Sequence, residues 1–199
     1  STAAFVESPE RWAYWVFFAG VTLTGIGSAY YHLVPDDARL VWDRLPMTLA
    51  FMSLLAATIT ERVGPKWGMG LLAPLVFLGL ATVLYWRWGL ATGVGNVVPY
   101  LVLQYGAIVL ILLTLALFPS RYTHAHYIPL TIGLYVLAKV AESADAWVLS
   151  ASSSISGHSL KHLAAALAVW PILRMLALRG PNGPASRAGV RQERQTPQP

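Results

Sequence analysis

The sequence predicts an all-α integral membrane protein, a bundle of six transmembrane helices, and three observations carry that expectation. Of 199 residues, 56% are hydrophobic and only 12% are charged, about half the charged share usual in a soluble domain. Mean hydropathy is +0.54. The apolar residues also run in long blocks instead of alternating with polar ones, and six such blocks occur: 12–34, 45–60, 68–86, 94–118, 127–149 and 159–178. Most have the roughly 20 residues a helix needs to cross a bilayer. A helix satisfies its own backbone polar groups, so a helical bundle is the architecture such blocks favour.

Taken in order, residues 1–10 ("STAAFVESPE") form an N-terminal segment with neither the basic start nor the cleavage pattern of a signal peptide. It is expected to lead straight into the first span, in which the glycines of "FFAGVTLTGIGSAYY" suit close helix contact. The second block is short. It becomes long enough only if its helix starts near Ala38, with Pro46 bending it. The third ends in "YWRWG" (85–89), aromatic residues that fit an interfacial belt better than a base-stacking platform. The fourth, 94–118, is apolar throughout, whereas the fifth carries Lys139, Glu142 and Asp145. The sixth is expected to kink at Pro171. Residues 11–179 thus make one transmembrane domain without an internal repeat. From Gly180 to the end, Pro, Gly, Gln and Arg dominate, which reads as a disordered basic tail.

The net charge of +5 does not imply nucleic acid as a partner, because the basic residues sit mainly in the tail and in short loops on one side. Arg11, Arg62, Lys66, Arg121, Arg179, Arg187, Arg191 and Arg194 share one side of a six-span topology, against Arg39, Arg44 and Arg87 on the other. The positive-inside bias therefore puts both termini in the cytoplasm. The absence of cysteine excludes disulfides, thiolate ligands and a cysteine nucleophile, so any metal is held by nitrogen and oxygen.

Ionisable groups inside membrane helices are costly and each is a functional hypothesis. His32 lies near the end of the first span, and His158 and His162 open the last; counting crossings puts all three at the non-cytoplasmic face. His124 and His126 fall in a loop on the opposite side and cannot join them. His158 and His162 stand at i and i+4, one above the other on a helix face, a spacing that lets two imidazoles point at one ion. Ser28 and His32 repeat it on the first helix. Three histidines with one open position make a catalytic zinc arrangement rather than a structural one. An HxxxH pair by itself is explained as readily by histidines bonding across helices; the third histidine, with Ser28 and Asp43 nearby, reverses that balance.

"SAYYH" followed by "WDRLPM", with HxxxH in the last helix, resembles the alkaline ceramidase family of the CREST superfamily of membrane hydrolases, which includes the adiponectin-receptor-like proteins. The family pattern is a serine, a histidine four residues on, an aspartate fifteen after the serine, and HxxxH. Here these fall on Ser28, His32, Asp43, His158 and His162, and "DRLPM" is close to the family's aspartate-x-leucine-proline-methionine run. The resemblance covers roughly residues 11–178. It implies a fold like helices 2–7 of the family's seven-transmembrane bundle, with no counterpart of its first helix, and "STAAFVESPE" lacks the acidic calcium-binding segment of some members. It implies a zinc-dependent amidohydrolase that cleaves ceramide or a related N-acyl lipid within the bilayer. His32, His158 and His162 would hold zinc, Asp43 would move the proton and Ser28 would bond the oxyanion or fix the water.

Two alternatives stand beside this. One is a receptor-like or lipid-binding protein whose zinc is structural, which leaves Asp43 without a role. The other is bis-histidine haem ligation, whose ligands usually sit deeper in a bundle and whose Soret band would reveal it. Lys139, Glu142 and Asp145 read first as an internal ion pair on the fifth helix, ahead of a ligand contact or a retinal-binding lysine.

Overall fold

The computed structural model describes residues 5–182. Among them there are helices and turns but no strand beyond one isolated bridge. A 3-10 turn, Ser8–Glu10, precedes α1 (Arg11–Leu33), α2 (Asp37–Arg62), α3 (Pro65–Ala91), α4 (Val98–Leu117), α5 (Tyr127–Ser143), α6 (Asp145–Ser152), α7 (Gly157–Leu167) and α8 (Trp170–Leu178). Four segments are long and apolar enough to cross a membrane: α2, α3, α4, and α7 with α8 taken together. The basic tail read from the sequence lies, from residue 183 on, outside the described residues.

The two remaining blocks differ from expectation for identifiable reasons. In α1 there are 23 residues, but Trp, Tyr, Thr and Gly dilute its apolar content. The fifth block is split: α5 ends at Ser143 and α6 starts at Asp145, with Ala144 at φ −94° and ψ 14°. Neither piece, of 17 and 8 residues, reaches spanning length. In the sixth block the expected disturbance falls at a two-residue turn, where Ala168 (φ −63°, ψ −18°) and Val169 (φ −78°, ψ −32°) keep near-helical angles. Pro171 has no N–H to give the carbonyl four residues back, that of Leu167, and the helix is interrupted between Leu167 and Trp170.

The described chain forms two compact units. In Phe5–Arg121, α2 is the central helix. It starts where the sequence needs it to: the Asp36 carboxylate accepts the Arg39 N–H at 2.7 Å, capping the helix end, and Pro46 is accommodated inside. Small residues let α2 meet its neighbours at backbone distance. A Cβ on Gly20 would lie 2.7 Å from the Ala50 nitrogen, and one on Gly27 would overlap the Trp42 carbonyl, so α1 runs antiparallel to α2. Gly68 and Gly79 do the same for α3, against Thr60 and Thr48. Gly25 faces open space.

The interior of this unit combines apolar side chains such as Met52, Leu55 and Ile111 with several hydroxyls. Thr48, Ser53, Thr58 and Thr60 are buried and bond carbonyls one turn back on α2, at 2.5–2.8 Å, so their hydroxyls carry no desolvation penalty. Phe77, Val102 and Leu117 are 75%, 67% and 72% exposed. That arrangement suits a hydrocarbon surrounding, in which apolar side chains need no cover. At the end bearing the 3-10 turn, Tyr14 bonds Glu61, Glu10 pairs with Arg121 at 3.7 Å, and Arg62 donates to the Phe118 carbonyl at 2.6 Å, closing the end of α4.

In the second unit, from Tyr122, α5 packs against α7 and α8, and α6 against α7. Its ends are stapled together: the Thr123 N–H reaches the Gly180 carbonyl at 2.9 Å, and the Arg179 guanidinium lies 4.4 Å from the Tyr122 ring centre.

Candidate metal centre

Each half of the predicted site sits within its own unit. In Phe5–Arg121, Ser28 and His32 lie one turn apart at the end of α1, and Asp43 lies in the second turn of α2. Gly27 brings these elements together: its added Cβ would stand 3.2 Å from the Asp43 Cα. The backbone preceding Ser28 therefore touches the backbone carrying Asp43. Asp43 is 8% exposed, and its Oδ2 lies 3.8 Å from Nη1 of Arg44. In the same unit, Val41, Val83, Trp86 and Tyr100 form an apolar cluster from α2, α3 and α4. His32 is exposed, its ring edge-on to Tyr31 at 5.1 Å. The three aspartates near this end have distinct positions: Asp36 caps α2, Asp37 opens its first turn, and only Asp43 is buried. Arg39 lies over the Tyr30 ring at 5.0 Å and ties the α1–α2 turn.

The unit from Tyr122 carries the pair on α7. His158 and His162 turn their Nε2 atoms toward each other at 3.1 Å, rings 4.8 Å apart and nearly perpendicular. Two nitrogens bound about 2.0–2.1 Å from a tetrahedral zinc stand roughly 3.3 Å apart, so the pair is already set close to a shared ion. Without metal, the same geometry lets one ring N–H donate to the other's lone pair. The donor set therefore fits the two-histidine half of a zinc site.

Comparison with protein-family models, characterised proteins and solved structures gives no match.

Around the pair, the structure resolves the charges that the sequence left open. Lys139 bonds Glu142 one turn on within α5, the expected ion pair, and Lys161 of α7 joins it at 3.1 Å. Lys161 also lies 3.4 Å from His158 Nδ1. Asp145 takes no part in that pairing; its Oδ1 accepts the His158 backbone N–H at 2.7 Å. Sequence reasoning missed Lys161 as the third member and Asp145 as a cap. The signal available was the lysine between the two histidines of "HSLKH", one turn from His158. His124 and His126 sit together before α5, ring centres 6.0 Å apart.

Proposed function

We propose that this chain is a zinc-dependent amidohydrolase of six membrane spans that cleaves the amide bond of ceramide or a related N-acyl lipid. The observation carrying the reading is the His158–His162 geometry, two Nε2 atoms 3.1 Å apart at a two-ligand zinc spacing. The resemblance on Ser28, His32, Asp43, His158 and His162 gives it its substrate class. His32 is the third ligand in this reading, brought to the pair because the sequence counts both positions to one membrane face.

A zinc ion held by His32, His158 and His162 would supply Lewis acidity and would make a water molecule acidic enough to attack near neutral pH. The protein's own groups do the rest. Asp43 accepts the attacking water's proton and returns it to the departing amine, the general-base and general-acid role of one carboxylate. The Ser28 hydroxyl donates to the carbonyl oxygen as negative charge develops there. Acyl chains lie along apolar helix surfaces such as those of α3 and α4. The products are a fatty acid and a sphingoid-type amine, and the site faces away from the cytoplasm.

Metal analysis of purified protein, combined with incubation of lipid extracts and mass spectrometry, tests this. Stoichiometric zinc and time-dependent release of free fatty acid are expected. Zinc without hydrolysis of any N-acyl lipid would leave a receptor-like protein with a structural metal.

A further inference from the structure

We propose that Asp145 is a positioning residue for the metal centre, holding the His158 backbone where its imidazole meets that of His162. The inference rests on the zinc reading above and concerns a residue outside the serine–histidine–aspartate–HxxxH pattern.

Three observations converge on it. First, the helical backbone is perturbed at Ala144, at φ −94° and ψ 14°, so Asp145 stands in the first turn of α6 directly after the end of α5. Second, that carboxylate crosses 13 positions of sequence to accept the His158 N–H at 2.7 Å. The next donor of α7, the Ser159 N–H, is already taken by the N-cap Ser156 hydroxyl at 3.0 Å. Asp145 thus satisfies the one first-turn donor that belongs to a predicted ligand. Third, Gly157 is seated on the same place. A Cβ there would overlap the Ala141 carbonyl and lie 2.7 Å from the Asp145 Cα, so the first turn of α7 rests on the Asp145 backbone with no room to shift.

The charges point the same way. A helix N-terminus carries partial positive charge, and Lys161 stands 3.4 Å from His158 Nδ1; both oppose a divalent cation. Glu142 is committed to Lys139 and Lys161. Asp145 is the carboxylate placed to offset the helix end while fixing its geometry. Groups that orient a ligand's ring change metal affinity about 10- to 100-fold when removed, and Asp145 orients the same imidazole through its backbone N–H.

The test uses the full chain in detergent, with zinc affinity read by chelator competition and cobalt substitution read by its visible spectrum. Asp145→Ala is expected to weaken zinc binding about 10- to 100-fold with helicity retained, and to speed hydrogen exchange at the His158 amide in metal-free protein. Asp145→Asn keeps the acceptor oxygen but not the charge, and should recover the amide protection and part of the affinity. Gly157→Ala, which lifts α7 from Asp145 while leaving the carboxylate, should reproduce the affinity loss and covers the case in which Asp145→Ala does not fold. Parent affinity in Asp145→Ala or Gly157→Ala, or Asn as weak as Ala, overturns the proposal while the zinc reading stands. Parent affinity in His162→Ala instead overturns the zinc reading itself, and the role of Asp145 with it.

Discussion

At the residue scale, the aspartates of "VPDDARLVWD" show how one residue type divides its labour. Asp36 is exposed and accepts a backbone N–H at the start of α2, a structural cap worth about 1 kcal/mol. Asp43, seven positions on, is buried at the α1–α2 contact, where a carboxylate is costly to hold and marks a functional candidate, with Arg44 3.8 Å away as its cation. If its function is proton transfer, Asp43→Asn keeps stoichiometric zinc and lowers turnover by roughly 100-fold or more. Fatty-acid release from a ceramide substrate, measured beside metal content, checks it; the parent rate would assign Asp43 another role. Ser28→Ala should cost less in rate and leave the metal in place. His162→Ala should instead empty the site, because it removes one of two nitrogens set 3.1 Å apart. Zinc content after dialysis decides that point.

At the element scale, α1 and α2 owe their approach to Gly20 and Gly27, which leave no space for a side chain, while Gly25 on the same helix meets nothing. Gly27→Ala is therefore expected to destabilise by about 1–3 kcal/mol, the range for overpacking, and to displace Asp43 with it. Gly25→Ala should be neutral or stabilising, since alanine is favoured over glycine in a helix by about 1 kcal/mol. Thermal unfolding of both variants in one detergent compares them directly. Equal midpoints would show that the Gly27 contact yields without strain. The interruptions at Ala144 and at Pro171 belong to this scale too. Directly after the first, Asp145 caps the start of α7, and the turn ahead of the second ends α7 at Leu167.

For the whole molecule, four segments meet the length and apolarity of a membrane span, and the six-span reading adds α1 and the α5–α6 block. On the proposed six-span topology, the positive-inside bias predicts that the α6–α7 loop lies outside and the tail in the cytoplasm. Single cysteines at Ser154, exposed in that loop, and at Ser186 test this in intact cells with an impermeant thiol reagent. Ser154 is expected to label and Ser186 to stay protected. The reverse pattern would invert the orientation and place the histidine end in the cytoplasm.

The sequence by itself determined the helical class, the apolar blocks and the His158–His162 pair. Each depends on short-range periodicity: hydropathy over about 20 residues, or an i, i+4 step along one helix face. It also marked Pro46 inside α2 and an internal ion pair among Lys139, Glu142 and Asp145, of which Lys139 and Glu142, one turn apart, are the two that pair within α5. Only the tertiary structure decided which glycines are contacts, because Gly20, Gly25 and Gly27 are alike in sequence and differ only in what stands opposite them. It alone drew Lys161 to Glu142, 19 positions away, and turned Asp145 from a third charge on one helix into the cap of another. Such pairings form when two helices pack, and no periodicity along either helix records which side chains will then meet.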